Sequence, residues 1–181
     1  MEDALREFLK LLGEDPARSG LQKTPERWRK AMEELTSGYA IVPEDIVKDA
    51  VFPAEKSEMV IMKDIAFHSL CEHHLLPFSG VMHVAYVPEE SIIGFSKIPR
   101  IVEIFTRRLQ VQERLGEEIA EAIDRTIHPK GVGVVIEATH FCMTMRGVRK
   151  EGIKAITTHL TGIFRMDLGT REEFLQLVRH S

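Results

Sequence analysis

The stretch FHSLCEHHLLPFSG, residues 67–80, interrupts one apolar, β-rich run and ends just before the next begins. Its centre, Cys71 to His74, sets a thiol, a carboxylate and two imidazoles side by side. The flanking runs, residues 59–67 and 81–87, are rich in valine, isoleucine and other apolar residues and predict two strands. We therefore expect a chemically functional turn between two strands of a sheet.

The spacing within this turn leaves two arrangements open for a metal site. In an extended strand Cys71 and His73 share one side, whereas in a tight turn Cys71 and His74 converge and His73 points elsewhere. Because the strand pattern breaks here and Pro77 follows, we favour the turn, which leaves His73 free as an acid or base. With Cys142, the other cysteine of the chain, the turn would complete a three-ligand set of the kind that binds catalytic zinc.

Two plainer interpretations of the cysteines stay open. Cys71 and Cys142 can form a disulfide, or they can be ordinary buried residues accompanied by surface histidines. Two cysteines in a chain of this length make a poor disulfide framework, so metal or catalytic use is favoured.

The composition is that of a soluble globular protein. Its 181 residues are 44% hydrophobic and 29% charged, which suits one domain and excludes disordered and fibrous classes. No apolar run approaches the roughly 20 residues that span a bilayer, and the start lacks a basic leader and an apolar secretory core. We expect a cytoplasmic location and no membrane partner. The net charge of −4 argues against nucleic-acid binding, although a local basic cluster can still hold a phosphorylated small molecule.

Apolar periodicity predicts helices before, between and after the strands. Helices are expected at residues 2–12, 24–38, 96–105 and 111–127 and, from a capping box of Thr170 and Glu173, at the end of the chain. The second of these should be capped by the side chain of Thr24. Further strands are expected at residues 92–95, 132–143 and 155–166. Helices segregated from a mostly antiparallel sheet predict the α+β class.

The strand expected at residues 132–143 bears directly on the site. A period of two puts His140 and Cys142 on one face, so both side chains should point the same way.

The sheet has four or five strands, too few to close a barrel, so its edges must be covered or shared between subunits. We therefore expect an oligomer.

Five motifs, taken together, resemble the GTP cyclohydrolase I family. They follow the family's order and cover essentially the whole chain. The motifs are Cys71-Glu72-His73-His74 with Pro77-Phe78, Gly80, His83, Tyr86 and Pro88; Gly94-Phe95-Ser96-Lys97; Gln110-Val111-Gln112-Glu113-Arg114-Leu115; His140-Phe141-Cys142-Met143 with Arg146-Gly147-Val148; and Phe174-Leu175 with Val178-Arg179-His180. Phe95 departs from the leucine expected in the family, an apolar exchange.

The resemblance implies a single GTP cyclohydrolase I domain over residues 1–181. N-terminal helices would occupy residues 1–40, and a tunnelling-fold catalytic core with an antiparallel sheet and two long helices would occupy residues 57–181. Family members form homodecamers of two pentameric rings, in which subunit sheets join into a barrel and active sites lie between subunits. The implied protein partners are therefore further copies of this chain.

The implied reaction is a zinc-dependent hydrolysis. GTP would be opened at C8 and rearranged to 7,8-dihydroneopterin triphosphate with release of formate, the first step of pterin and folate synthesis. The residues that match the Zn²⁺ ligands of the family are Cys71, His74 and Cys142. Those that match its catalytic residues are His73, His140 and Ser96. The two histidines would carry protons, and the serine would take part in the rearrangement of the ribose.

The substrate contacts also follow from the resemblance. Glu113, with Gln112 beside it, would accept hydrogen bonds from N1–H and the 2-amino group of guanine. The triphosphate would be held by the cations Lys97, Arg100, Arg146, Arg27 and Lys30. Glu72 matches no assigned role, and we expect it to orient a ligand histidine. His159 has no assigned function.

Two other classes compete with this one. A nitrile reductase of the same fold would need an unligated reactive thiol and a place for NADPH. The His-rich setting of Cys71 and the lack of a Gly-rich loop disfavour it. A catalytically silent pterin- or nucleotide-binding subunit would keep Glu113 but lose metal ligands or proton carriers, and all of these are present.

Overall fold

A mixed five-stranded sheet forms the centre of the fold in this computed structural model, which describes residues 1–55 and 58–179. Across the sheet the strands are β5 (Leu109–Gln110), β2 (Val60–Cys71), β3 (Pro77–Val87), β6 (Gly131–His140) and β7 (Ala155–Leu160). Neighbouring strands are antiparallel except β2 and β5, which are parallel. Strands β1 (Val51–Pro53) and β4 (Ser91–Ile93) pair separately as an antiparallel ribbon.

Helices accompany the sheet, and the α+β class predicted from the sequence is confirmed. They are α1 (Glu2–Leu11), α2 (Thr24–Leu35), α3 (Pro43–Val47), α4 (Lys97–Thr106), α5 (Gln112–Ile127), α6 (Phe141–Thr144), α7 (Ile163–Met166) and α8 (Leu168–Arg179), with a 3-10 turn at Ser37–Ala40. Within the described residues no helix has the length and apolar character to cross a membrane. The predicted core boundary at residue 57, the motif residue His180 and the final residue, Ser181, lie outside the described residues.

The two faces of β3 pack in different cores because its side chains alternate. Val84 and Tyr86, each 1% exposed, belong to the larger core, which they share with residues of α4 and α5. Ala85 belongs to the smaller core with Phe164 of α7 and Phe174 of α8. Each fully buried large apolar side chain contributes about 1.5–3 kcal/mol, so the sheet is stabilised from both sides.

Three predicted strands end earlier than expected. The strand predicted at residues 92–95 is β4, which ends at Ile93. β6 ends at His140, because beyond the pair formed by Phe78 and His140 strand β3 continues only to Pro77, which has no N–H to donate. Without a neighbouring strand the next backbone groups bond locally, and the Met145 N–H donates to the Phe141 carbonyl (3.1 Å). The prediction that His140 and Cys142 share a strand face is therefore wrong, since Cys142 lies in α6. The strand predicted at residues 155–166 is likewise β7 followed by α7.

Both predicted threonine caps are wrong. Thr24 lies inside α2, where its hydroxyl contacts the Gly20 carbonyl (3.4 Å) and no side chain caps the helix. At the last helix Asp167 takes the cap position, because its carboxylate accepts bonds from the Thr170 N–H (2.7 Å) and hydroxyl (2.8 Å). These bonds lower the pKa of Asp167 below its ordinary value. The helix therefore begins at Leu168, ahead of the predicted cap.

A buried histidine holds an irregularity in β2. The register with β3 shifts between Met62 and Ile65, and Asp64 takes a left-handed φ of +56°. The Asp64 N–H donates to Nδ1 of His83 (3.3 Å), a residue that is only 5% exposed. Burial lowers the pKa of His83 below its ordinary value, and the Asp64 carboxylate opposes that shift. Neutral His83 is therefore the form that accepts the bond.

We expect acidification to weaken the fold through His83. Because its folded-state pKa lies below the unfolded-state value of about 6.5, the unfolded chain binds this proton first. The free energy of unfolding should fall as the pH drops from about 6.5 toward the folded-state pKa, by at most about 1.4 kcal/mol per pH unit for one proton. Urea unfolding across this range, for the wild type and for His83→Gln, measures the difference in slope.

His83→Gln keeps an amide oxygen that can accept the Asp64 bond but removes the titrating group. Its slope should be shallower than that of the wild type. The matched control is His128→Asn, at an exposed histidine, and it should keep the wild-type slope. Equal slopes for wild type and His83→Gln would contradict the expectation.

Candidate functional site

The turn between β2 and β3 is short and tightly hydrogen bonded. The Cys71 carbonyl accepts bonds from the amides of His74 (3.3 Å) and Leu75 (2.8 Å), and the Cys71 amide donates to the Leu76 carbonyl (2.9 Å). Leu75 takes a left-handed φ of +54°, which lets the chain reverse. The turn favoured from the sequence is confirmed. Both strands are longer than predicted, since β2 extends to Cys71 and β3 begins at Pro77.

The three predicted metal ligands meet at this turn. One ligand atom from each of Cys71, His74 and Cys142 lies within 4.8 Å of the other two. Cys71 is buried at the end of β2, His74 is exposed in the turn, and Cys142 is half-buried in α6. Both cysteines are free thiols. The three residues therefore form a possible metal site and not a disulfide.

Distance from Cys71 alone does not separate the two neighbouring histidines. Nδ1 of His73 and Nδ1 of His74 each lie 3.9 Å from Sγ of Cys71. Of the two, His74 belongs to the group that includes Cys142, whereas the side chain of His73 is 64% exposed. His73 is thus a solvent-facing imidazole beside the possible metal site.

The environment of the thiols suits a cation. Burial and, after it, the Cys71 thiol raise the pKa of Cys142 above its ordinary value. Two neighbouring thiols resist ionising together, but a bound divalent cation stabilises both thiolates. Two sulfurs and one imidazole nitrogen also leave a fourth tetrahedral position for water or substrate.

His140 is held in one orientation by two contacts. Its ring stacks on Phe78 with a centroid separation of 4.6 Å and an interplanar angle of 4°. Its Nε2 lies 2.8 Å from Oε1 of Gln112, a residue that is 3% exposed. Burial lowers the pKa of His140, while the Glu113 carboxylate opposes that shift. His140 is therefore neutral near pH 7 and able to accept a proton.

The partners of Gln112 decide which nitrogen of His140 is free. The Gln112 amide nitrogen donates to the carbonyls of Ile136 (3.1 Å) and Ala155 (3.0 Å). Its oxygen can only accept, so Nε2 of neutral His140 carries the proton and Nδ1 keeps the lone pair. Both polar atoms of the Gln112 amide are thus engaged within the protein, whereas the sequence predicted a guanine contact for this residue.

Glu72 contacts an arginine and not a ligand histidine. Its Oε2 lies 2.5 Å from Nη2 of Arg114, and its Oε1 lies 4.0 Å from Nε2 of His73. The hydrogen bond from Arg114 lowers the pKa of Glu72 below its ordinary value. Nothing in the local spacing pointed to Arg114, since it lies 42 positions from Glu72.

The predicted phosphate-binding cations differ in whether their side chains already form ion pairs or hydrogen bonds. Within the residues that the structure describes, the side chains of Arg27, Lys97 and Arg100 form no ion pair and no hydrogen bond. Lys30, in contrast, pairs with Glu26 at 2.6 Å. Three of these cations are therefore available to an anionic ligand, and Lys30 is available only if its ion pair opens.

Arg146 reaches the possible metal ligands directly. Its Nη1 lies 3.0 Å from Nε2 of His74. Since arginine only donates, Nε2 holds its lone pair in this arrangement. Metal coordination through Nδ1 of His74 would place a proton on Nε2 and so release Arg146 for another acceptor.

Ser96 and Lys97 lie at the opposite end of α4 from the turn. The near end of α4 is tied to β5, because the Gln110 amide nitrogen donates to the Phe105 carbonyl (3.1 Å). A ten-residue helix is about 15 Å long. Within one chain, the structure therefore does not bring Ser96 or Lys97 to the turn that begins after Cys71.

Glu113 faces an open cleft from the first turn of α5. The cleft has a volume of about 570 Å³, and its lining includes Glu113, Glu117, Thr158 and His159. His159, to which the sequence assigned no role, thus shares a surface with the predicted guanine-binding carboxylate. A carboxylate at this end of a helix is also stabilised by the helix dipole.

Comparison with known proteins decides the family. The chain matches the GTP cyclohydrolase I family over residues 1–179. This chain belongs to the GTP cyclohydrolase I family. The GTP cyclohydrolase 1 of Leptospira biflexa serovar Patoc is 55% identical over 179 residues, which cover 99% of this chain and 98% of the relative. The GTP cyclohydrolase 1 of Rattus norvegicus is 54% identical over 176 residues, which cover 97% of this chain and 73% of the relative.

A comparison with solved structures finds a weaker similarity. The crystal structure of the archaeosine synthase QueF-Like in the apo form aligns with a TM-score of 0.48 and 16% identity. The alignment covers 60% of this chain and 97% of that chain. This similarity is too low to assign the chain to that protein's family.

Membership of the GTP cyclohydrolase I family confirms the resemblance drawn from the motifs and the predicted enzyme class. The departure from the family pattern at Phe95 lies on the surface of the chain. Phe95 is 65% exposed beside Ser96, so its larger ring displaces nothing in the core.

Proposed function

We propose that this chain opens GTP by hydrolysis at C8 and rearranges the product to 7,8-dihydroneopterin triphosphate with release of formate. Membership of the GTP cyclohydrolase I family supports a GTP cyclohydrolase activity. The observation that carries the specific reaction is the meeting of Cys71, His74 and Cys142, with Nδ1 of His73 3.9 Å from Sγ of Cys71. His140, two positions before Cys142 in the chain, supplies a further imidazole. With a metal bound, such a site would combine a metal with two proton carriers. A silent binding subunit needs neither the metal nor the proton carriers.

The metal in this proposal is Zn²⁺. Thiolate and imidazole donors suit tetrahedral zinc, and three protein ligands leave one position open. When bound at such a site, Zn²⁺ lowers the pKa of water and so supplies hydroxide near neutral pH. The contribution of the chain is to hold Cys71, His74 and Cys142 together where β2, its turn and α6 meet.

His73 and His140 carry protons in the proposed reaction. Protonation of N7 makes C8 of guanine electrophilic, and the exposed ring of His73 is suited to that task. His140 offers Nδ1, because its Nε2–H is bound to Gln112. In this proposal Gln112 acts by holding His140, and Ser96 takes part in the later rearrangement of the ribose.

Glu113 and a set of cations recognise the substrate in this proposal. A carboxylate can accept hydrogen bonds from both N1–H and the 2-amino group of guanine, and Glu113 is exposed at an open cleft. The triphosphate requires several cations. We assign it Arg27, Lys97, Arg100, Arg146 and, after its ion pair opens, Lys30.

We infer that the complete site forms between copies of this chain, in a tunnelling-fold barrel and a decamer of two pentamers. In the described chain β7 has no outer neighbour, and β2 pairs with β5 only at Leu70 and Cys71. Open strand edges favour pairing with another chain. The distance of Ser96 and Lys97 from the turn in one chain supports the same inference. The cytoplasmic location and the absence of membrane and nucleic-acid partners stay predictions.

Turnover of GTP tests the proposed function. Purified protein with GTP and Zn²⁺ should release formate and form a product that fluoresces as neopterin after oxidation. ATP should yield neither, because adenine lacks the N1–H and the 2-amino group assigned to Glu113. Zinc analysis of the same sample gives the metal content. Stoichiometric zinc without formate from GTP would overturn the proposed function.

A further inference from the structure

Arg114 joins two parts of the site that lie on different elements. It is in the first turn of α5, next to Glu113, and its Nη2 lies 2.5 Å from Oε2 of Glu72. The other oxygen of Glu72 faces His73, with Oε1 4.0 Å from Nε2. One arginine thus connects the helix that carries the guanine-binding carboxylate with the turn that carries both histidines.

The Arg114 guanidinium is itself held in place. Nη2 also donates to the Leu109 carbonyl (3.0 Å), and Nε donates to Oε1 of Gln110 (3.2 Å). Gln110 is 1% exposed, and its amide nitrogen donates to the Phe105 carbonyl (3.1 Å) and to Glu118 (2.6 Å). Both donors of this amide have acceptors, so its oxygen necessarily faces Arg114.

The backbone of the turn is tied to the same place. The Glu72 N–H donates to the Gln110 carbonyl (3.0 Å), where the two-residue strand β5 lies beside the end of β2. β5 pairs with β2 only at Leu70 and Cys71, so few backbone bonds hold this end of the turn. The side-chain bond between Glu72 and Arg114 adds a direct connection from the turn to α5.

We propose that Arg114 is a positioning residue, which through Glu72 sets the place of the His73–His74 turn relative to the first turn of α5. Its effect on turnover rests on the proposed function, whereas its effect on metal binding does not. A misplacement of about 1 Å at a reacting centre can cost about 100-fold in rate. An ordinary exposed ion pair would add little to stability and nothing to metal binding.

Metal affinity tests this proposal without any turnover. Competition with a chromophoric chelator measures the Zn²⁺ affinity of the wild type, Arg114→Gln, Glu72→Gln and the double variant. Each single variant should bind Zn²⁺ about 10-fold more weakly, the low end of what partners of metal ligands contribute, because Glu72 and Arg114 act on His74 only through the position of the turn. The double variant should be no weaker than the single ones, because Arg114 acts through Glu72. Arg114→Lys should recover part of the affinity, since it restores the charge but not the planar fork of donors.

Steady-state kinetics with GTP separates positioning from folding. The kcat of Arg114→Gln should fall about 10–100-fold. Its KM should change by less than about 3-fold, because Glu113 and the phosphate-binding cations remain. The matched control is Arg125→Gln, in which another arginine of α5 loses an ion pair, to Glu44 at 3.0 Å. That control should keep the wild-type zinc affinity and kcat.

Two results would overturn the role of Arg114. If the losses of the two single variants multiply in the double variant, Arg114 does not act through Glu72. If the single variants melt at a lower temperature but keep wild-type zinc affinity and kcat, the ion pair is only structural. A wild-type protein that binds zinc without turning over GTP would defeat the proposed function, and the affinity measurements would still decide the role of Arg114.

Discussion

Cys142→Ala is expected to lose the bound metal and, with it, GTP turnover. Cys142 is one of three residues whose ligand atoms lie within 4.8 Å of one another, and its loss leaves two of the three ligands of a catalytic zinc site. A change in a mere hydrogen-bond partner of a ligand costs about 10–100-fold, so loss of the ligand itself should lower kcat/KM by more than about 100-fold. Formate release from GTP and zinc content after dialysis measure the two losses.

The fold should survive this substitution. Cys142 is half-buried in α6 and packs at the margin of the larger core, and the exchange removes a single sulfur atom. Met145→Ala is the matched control, because Met145 follows α6, also carries sulfur and is 63% exposed. This control should keep both zinc and turnover. A Cys142→Ala protein with stoichiometric zinc would show that the ligands are wrongly assigned.

His140→Asn is expected to lower kcat by about 10²–10⁴-fold, the usual contribution of general acid–base catalysis, while the zinc content stays stoichiometric. The imidazole lies outside the group of possible metal ligands. Burial lowers its pKa, and the bond from Nε2 to Gln112 leaves Nδ1 for the substrate. Asparagine cannot take up and return a proton near neutral pH, so the chemical step should slow without loss of the metal.

The same exchange at His128, exposed after the end of α5, should leave kcat unchanged. Zinc content and single-turnover formation of product measure the two properties separately. Loss of zinc in parallel with loss of activity would argue against a proton carrier and for a residue of the metal site. A kcat within about 3-fold of the wild type would equally contradict the role of His140.

Features that depend on close sequence neighbours were predicted well. The apolar stripe of α5 is buried as its spacing indicated, since Leu115, Ile119 and Ile123 are each 0% exposed. The turn after Cys71 was favoured because a strand pattern broke just before a proline, and its hydrogen bonds confirm it. Side-chain periods of two and 3.6 are properties of a single element, so they can be read without its neighbours.

The ends of strands and helices were predicted less well, because they depend on the residues that pair or bond with them in the folded chain. The apolar alternation continues beyond His140 in the sequence, but past Phe78 strand β3 continues only to Pro77, which has no N–H to donate. At the last helix Thr170 and Glu173 had the pattern of a capping box, yet the carboxylate of Asp167 accepts hydrogen bonds from the N–H and the hydroxyl of Thr170. The aspartate three positions before Thr170 was the signal that could have identified this cap.

By itself, the sequence determined the α+β class, the family and the residues that can bind a metal, because these follow from residue types at short spacings and from motifs in a fixed order. The tertiary structure alone decided which side chains form hydrogen bonds with the residues of the site. His140 meets Gln112 across 28 positions, Glu72 meets Arg114 across 42, and Arg146 meets His74 across 72. No local period relates such pairs. Their hydrogen bonds require separations near 3 Å, which arise only after the sheet has brought β2, β6 and α5 together.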